Sequence, residues 1–591
     1  MKKEANLKVK KLFIFITILL GVFLLNNTDA LNAEKCDNCG PTMAEVRAEA
    51  CTVIIVGKKA SVDGSVMSTH TCDCGLCDWT WRYVPPADHK PGTKRKIYHF
   101  SQFKTKPPEK GLRWDSYEDG YTGLEIDQPP HTYGYLHGMF GYMNDNQVAI
   151  GESTVGCRKK MENETPTPKF DITMLTLIAM ERAKTAREAI KIMGDLAVEH
   201  GYGSTDSGEM LAVSDPNEIW IFEVLPVGPL WAPGTGPGAV WCAQRVPDDH
   251  VSVCPNESRI GEINLKNKDY FMASENVISL AVKKGWYDPK SKKPFNWKKA
   301  YNPTDVSTVN TAGSRVRLWR FFDLVAPSKK FSPKTPNEDL PFSIKPEKKL
   351  SVYDVMKMTR DKCDGTLYDP ARGLQGGPFG NPHRLPYGFD YKGKKYNTPR
   401  IIGVNRAEYV TVTQCRGWYP NPIGGLIWLG FGSQDTSCYM PLYQGITRIP
   451  DSFKFGDHWK FDRKSARWAF DYVDYHTMVY YNLAIKHVRK AQEKWEQAAL
   501  NQIPNIDKQA LEIYKKDQAK AREFLTDYCI DNAKLVIGAW WDLGDELLVR
   551  YNKLWHYNIE ERKREAITYP DWWLKELIRY NKLKPQPEEK K

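Results

Sequence analysis

The sequence predicts an α+β protein in which hairpin strands and helices alternate over the first 450 residues and a long-helix extension follows. Three observations carry this. Short β-branched runs bracketing turn residues recur from Thr52 to Gly430, the signature of antiparallel hairpins. Between them lie segments with a 3.6-residue apolar period, Ile172–Ala183 and Arg187–Glu199. From about Pro450 the pattern turns to long helices. The 591 residues are 41% hydrophobic and 26% charged, which excludes disorder and collagen and allows roughly two to four domains. The formal charge of +12 is spread over 84 basic and 72 acidic residues without a dense stripe, so it reads as solubility, and no nucleic-acid partner is expected.

Lys2, Lys3, Lys8, Lys10 and Lys11 precede an apolar run from Leu12 to Leu25, the layout of a secretory signal. That run is shorter than the ~20 residues of a spanning helix. Residues 1–30 are expected to be a signal peptide and 31–50 a pro-segment, with the mature protein secreted or in the periplasm or cell envelope and without a stable membrane span. A retained anchor is the plain alternative.

Cys51 then opens a strand. Thr52 to Val56 is β-branched, Asp63-Gly64 supplies a turn, and Ser65 to Thr69 extends again, so the segment predicts a hairpin. Pairing about residue 61 sets Cys51 opposite residues near 71, beside His70 and Asp73. Once the bond between Ala50 and Cys51 is cut, Cys51 owns a free α-amine with an ordinary pKa of roughly 7.7–8.0 beside its own thiol. One residue then supplies nucleophile and base. The alternative is an ordinary half-cystine.

Further elements follow in order. Thr185 and Glu188 form a capping box for the second helix, and Gly201 ends it. Glu209–Ser214 and Ile219–Val224 flank the turn Asp215-Pro216-Asn217, and Tyr409–Cys415 and Gly425–Gly430 bracket Pro420 and Pro422. Lys284–Lys299 and Pro327–Lys349 are Pro- and Lys-rich and read as surface loops. Beyond 450, Trp468, Tyr472, Tyr475, Val479 and Leu483 recur at helical spacing as a core-facing stripe, and Trp540-Trp541 and Trp572-Trp573 read as packing residues.

The run from Cys51 through Val-Ile-Ile-Val-Gly to Ser65 closely resembles the processed N-terminus of the dipeptidase A and secernin-like family of cysteine N-terminal-nucleophile hydrolases, peptidase family C69. The resemblance continues in Asn144-Asp-Asn146, Gly151-Glu-Ser153-Thr, Trp241-Cys-Ala-Gln-Arg245, Gly313-Ser-Arg315 and Arg416-Gly-Trp-Tyr-Pro. It implies a four-layer αββα sandwich over 51–450, with residues 451–591 as a helical extension packed on it. It also implies a dipeptidase acting on dipeptides or short peptides through a Cys51 thioester. Cys51 matches the nucleophile, Asp73 the carboxylate that holds the α-amine, Asn256 the oxyanion-hole amide and Arg315 the late active-site arginine. Ser153 falls where related acylases place a second polar donor. His70 stands where they carry an arginine three residues before the aspartate. Taken singly, Asp73 reads as a turn cap, Asn256 as a loop residue and Arg315 as a surface cation. The alternatives are a non-peptide amidase of the bile-salt hydrolase or penicillin acylase type, and a cysteine-rich metal-binding or surface binding protein.

No metal and no other cofactor is expected, the partner is the peptide substrate, and a homo-oligomer is left open. The Cys72-Asp-Cys74-Gly-Leu-Cys77 and Cys36-Asp-Asn-Cys39 clusters could hold metal, but in an exported chain they read as disulfides. Thirteen cysteines less Cys51 leave an even number, so the expectation is complete pairing with Cys51 as the single free thiol.

Overall fold

The computed structural model describes residues 51–73, 77–99, 120–161, 168–203, 208–303, 311–385, 388–456 and 458–586. The expected signal peptide, the pro-segment and Ala50 lie outside the described residues. Those described from 51 to 385 and from 399 onward belong to one compact unit. A second unit includes the hairpin Gly388–Tyr391 with Lys394–Asn397, paired antiparallel. The expected boundary near 450 does not divide units.

Two antiparallel sheets form the core. Their strands are β1 (Val53–Val56), β2 (Val66–Thr71), β3 (Arg82–Val84), β4 (Tyr135–His137), β5 (Gly141–Asn144), β6 (Ala149–Val155), β7 (Gly208–Ser214), β8 (Ile219–Leu225), β9 (Val240–Val246), β10 (Val251–Cys254), β11 (Phe271–Ala273), β12 (Tyr409–Cys415), β13 (Gly425–Phe431) and β14 (Met440–Tyr443). One sheet has the order β10-β1-β2-β12-β13-β14, the other β11-β9-β8-β7-β6-β5-β4-β3. They stack through β2 and β6, and strands in both are buried along their length. The Ser, Thr, His, Glu and Gln side chains of these strands are buried with the apolar ones, so they line the layers between sheets and helices.

Helices α1 (Ile172–Arg182) and α2 (Ala186–His200) cover the eight-stranded sheet. On the other side α3 (Thr311–Val325), α4 (Val352–Thr359), α5 (Ala466–Val479), α6 (Tyr481–Tyr514) and α7 (Gln518–Arg550) cover the six-stranded one. The result is an αββα sandwich. Local chemistry sets the ends of these elements. Thr185 caps α2 by accepting from Glu188 N, and Gly201 closes it at φ 81°. The Asp215 carboxylate accepts from Asn217 N and Glu218 N, which makes the β7–β8 turn.

Several expectations need correction. The stripe through Tyr475 and Val479 is not core-facing: the two are 69% and 51% exposed, and the buried face of α5 is Ala466, Ala469, Phe470, Val473 and Thr477. The chain breaks at Tyr480, φ −130°, between α5 and α6, so a periodicity carried through to Leu483 joins two helices with different faces. Trp540 does pack, donating Nε1–H to Thr436 O at 3.0 Å, but helix α8 (Asp571–Asn581), which carries Trp572 and Trp573, has no buried residue. The two Lys-rich loops do run largely over the surface, as expected, and are anchored at a few points: Trp297 donates to Glu223 at 2.6 Å, Lys298 pairs with Glu257 at 2.5 Å, and Ile344 bridges Val251.

The disulfide arithmetic also fails. Cys77 is disulfide-bonded, but Cys242, Cys254, Cys363, Cys415, Cys438 and Cys529 are free, like Cys51. These six are buried on separate strands, helices and loops, where a thiol packs as a small hydrophobe; Cys529 Sγ, for example, accepts from Tyr443 N at 3.3 Å. Parity cannot see that. Among the described residues no helix is long and apolar enough to cross a membrane.

Candidate active site

Cys51 lies two residues before β1, which is flanked by β10 and β2. Val53 pairs with Cys254 and Ile55 with Ser68, so continuing those registers sets Cys51 between Asn256 and Cys72. The strand head is pinned by side chains: Thr52 N donates to Thr71 Oγ1 and Ile54 N to Thr69 Oγ1, both at 2.8 Å. Arg317, on α3, donates to Cys51 O, Thr52 Oγ1 and Pro255 O, each at 2.8 Å. One buried guanidinium thus ties β1 to the turn after β10. Burial lowers its pKa well below the ordinary arginine range.

Asp73 is fully buried. Its carboxylate accepts from Arg400 at 2.5 Å, Thr71 Oγ1 at 3.1 Å and Gln434 Nε2 at 3.3 Å. Burial raises its pKa, and the charges of Arg400, Arg406 and Arg317 oppose that rise. Its backbone N–H hydrogen-bonds the Cys51 thiol. Burial, with the negative charges of Glu152 and Asp73, pushes the Cys51 thiol up, and that N–H works the other way. The thiol is therefore protonated at neutral pH while the chain before it is intact.

Ser153 and Asn256 meet: Asn256 N donates to Ser153 Oγ at 3.1 Å, and its side-chain amide donates to Thr154 O at 2.9 Å. Asn256 lies at φ 62°, a left-handed conformation that asparagine tolerates better than most residues. Its Oδ1 is buried without a hydrogen-bond partner among the described residues.

His70 and Glu152 come together because the two sheets approach closely where β6 crosses β2. A Cβ on Gly151 would lie 2.5 Å from Thr69 O, so only glycine permits that approach. His70 Nδ1 is 3.1 Å from Glu152 N and 2.9 Å from Glu152 O. Phe140, Tyr142 and Tyr409 surround the ring at centroid distances of 5.4–6.0 Å, and burial lowers its pKa, so it is neutral at pH 7. A ring nitrogen of His70, the Cys51 sulfur and a Glu152 oxygen all lie within 4.8 Å of one another.

The structure thus gathers Cys51, His70, Asp73, Ser153 and Asn256 around one strand head. Arg315 is placed differently. Among the described residues the arginine bonded to Cys51 is Arg317, and Arg315 Nε is buried without a partner. Two positions apart on a helix is about 200° of rotation, so the two point to different faces. Sequence reasoning missed Arg317, Arg400, Gln434 and Glu152. Glu152 had a signal in the Gly-Glu-Ser motif, and Arg317 lies on the helix that the Gly-Ser-Arg motif begins.

The αββα sandwich thus holds a buried thiol at the head of an inner strand, ringed by polar side chains, the layout of a cysteine hydrolase site. The profile of peptidase family C69 matches residues 50–494; the chain belongs to that family and is a hydrolase acting on peptide bonds. It is 26% identical over 500 residues to a probable dipeptidase of Latilactobacillus sakei, covering 81% of this chain and 91% of that one. It is 26% identical over 409 residues to a probable dipeptidase of Salmonella dublin, covering 67% and 81%. Against dipeptidase A of Lactobacillus helveticus the identity is 24% over 417 residues, covering 68% and 77%. A solved structure of penicillin V acylase from Agrobacterium tumefaciens shares 11% identity at a TM-score of 0.27, covering 66% of this chain and 86% of that one.

Proposed function

We propose that this chain is an exported cysteine dipeptidase whose catalyst is created when the bond between Ala50 and Cys51 is cut. The observation that carries this reading is the setting of Cys51: a buried thiol at a strand head, with Asp73 N–H on its sulfur and Arg317 on its carbonyl. Buried and uncharged, that thiol is a poor nucleophile. A new α-amine beside it supplies a base suited to neutral pH.

In this mechanism the amine takes the thiol proton and the thiolate attacks the scissile carbonyl. The tetrahedral oxyanion forms near Asn256, and the proton passes to the leaving amine. Water then cleaves the thioester and regenerates the thiol. Arg317 fixes the Cys51 backbone, so that sulfur and amine keep one geometry. The names of the relatives favour dipeptides over other amides as substrates.

The test is the mature N-terminus together with a substrate panel. Intact mass and Edman sequencing of protein from an exporting host should give a chain beginning at Cys51. That protein should hydrolyse dipeptides and leave acyl amides and bile-acid conjugates intact. Full activity in protein still carrying residues 34–50 would refute the mechanism.

A further inference from the structure

The mechanism above leaves one buried charge at its centre unused. Glu152 is 1% exposed. One of its oxygens accepts from Thr154 Oγ1 at 3.1 Å, while Oε2 is buried with no hydrogen-bond partner among the described residues. The charged or titratable group facing it at ion-pair distance is His70, with Nδ1 at 3.9 Å from Oε2. That ring is neutral, and no lysine or arginine among the described residues pairs with Glu152. A buried carboxylate without a cation is costly. An unpaired carboxylate oxygen in a side chain that reaches within 4.8 Å of the reactive sulfur is open to a donor brought by a ligand.

We propose that Glu152 binds the α-ammonium group of the peptide substrate, so that the enzyme cuts the bond next to a free N-terminus. This rests on the reading of Cys51 as the nucleophile, and it names the class of peptide that nucleophile receives. Covalent geometry places the α-nitrogen of an N-terminal residue about 2.5 Å from its own carbonyl carbon. The thiolate attacks that carbon from about 3–3.5 Å. A carboxylate oxygen within 4.8 Å of the sulfur can therefore accept a charge-assisted hydrogen bond from the ammonium while the carbonyl lies against the thiol. A longer chain or an acyl cap on that nitrogen removes the charge and adds bulk where the fold offers a buried anion.

His70 is then a positioning residue. Its Nδ1 holds the Glu152 backbone, and its aromatic surround keeps it uncharged, so it leaves the carboxylate to the ligand. Gly151 completes the device, since any side chain there would push β6 off β2 and carry Glu152 away from the sulfur.

The experiment compares dialanine with N-acetyl-dialanine on the mature enzyme. The wild type should prefer the free amine in kcat/KM by a factor on the order of 10³. E152Q, nearly isosteric, should lose about 10²-fold in kcat/KM for dialanine, mostly through KM, and little for the acetylated form. The preference should collapse accordingly, and E152D should keep part of it. Because E152Q also removes a negative charge that holds the Cys51 thiol protonated, the rate of Cys51 alkylation by iodoacetamide should hold or rise in that variant and should not fall. If Glu152 instead serves the Cys51 amine, both substrates and the alkylation rate fall together, and the proposal is overturned. A wild type that turns over both peptides alike overturns this proposal and leaves the peptidase reading standing; one that turns over neither defeats both. The wild-type ratio needs no variant, so a misfolded E152Q does not block the test.

Discussion

Where α6 lies against the six-stranded sheet, buried charges close on one another. Arg360 reaches both Glu496 oxygens, and Arg416 reaches both Asp507 oxygens at 2.6 and 3.0 Å. Asp435 takes Arg489, Lys362 and the Tyr481 hydroxyl; burial works against its ionisation, yet Lys362 and Arg489 hold it well below the usual carboxylate range. Around Cys51 the same resource is left open. His70 Nε2, Glu152 Oε2 and Asn256 Oδ1 are buried without partners among the described residues. Closed networks fix how a helix docks, because each ion is desolvated once and satisfied once. The groups left open beside the thiol are the ones that a ligand in that site can complete.

The largest effect that tests this contrast comes from the open side. Cys51→Ala should lower kcat by at least about 10⁴-fold while thermal unfolding stays near that of the wild type, since a small side chain at a strand head leaves little void. Turnover on dipeptides and a melting curve check both halves. Peptidase activity retained in pure variant would break the assignment of Cys51.

The closed side should behave in the opposite way. Glu496→Gln leaves the Arg360 guanidinium buried beside a neutral amide, and breaking such a pair costs roughly 3–5 kcal/mol. The expected outcome is a large loss of stability in denaturant titration, with an unchanged rate per folded molecule measured on active-site-titrated enzyme. A drop in that rate would show that α6 takes part in catalysis.

What was readable in advance follows the range of the interaction. The β1–β2 hairpin, the β7–β8 and β12–β13 pairs and the caps of α2 are set by residues within about twenty positions of each other, and the sequence carries their turn chemistry openly. Cys51, His70 and Asp73 were legible for that reason. Arg400 reaches Asp73 across 327 positions, and Glu152 reaches His70 across 82, through the stacking of two sheets. No local pattern encodes either contact. Arg317 was lost differently: the motif pointed to the right helix, but the choice between it and Arg315 depends on helix rotation, which packing decides. The cysteines misled because counting assumes that thiols pair, and six buried ones here serve as packing.

Asp73 bridges the two kinds of site, since its carboxylate is paired but its N–H is on the thiol. Asp73→Asn should lower kcat/KM by about 10²-fold and shift the basic limb of the pH profile downward, because the lost negative charge no longer favours an ammonium at Cys51. If the carboxylate merely anchors Arg400, stability falls and the pH profile on titrated enzyme stays put. The pH profile therefore decides between the two roles.

The smallest expected effect concerns Glu408, a buried acid that is paired yet still strained. It contacts Arg467 at 3.1 Å and His458 at 3.3 Å. Burial nonetheless raises its pKa to about 8, with Arg467 opposing and Asp471 and Asp78 adding to the rise. A carboxyl group whose folded pKa lies above its unfolded value binds its proton more tightly in the folded state. Its contribution to stability is full below about pH 4.5 and is lost as pH rises toward 8, at no more than about 1.4 kcal/mol per pH unit. Glu408→Gln mimics the protonated acid at every pH and has no such loss. Between pH 6 and 7 the variant should therefore gain on the wild type by about 1 kcal/mol, a shift of only one or two degrees in relative Tm on the order expected for a large domain. Parallel Tm curves for the two proteins across that window would show that Arg467 holds Glu408 ionised throughout, which would place it with the closed pairs of the helical interface.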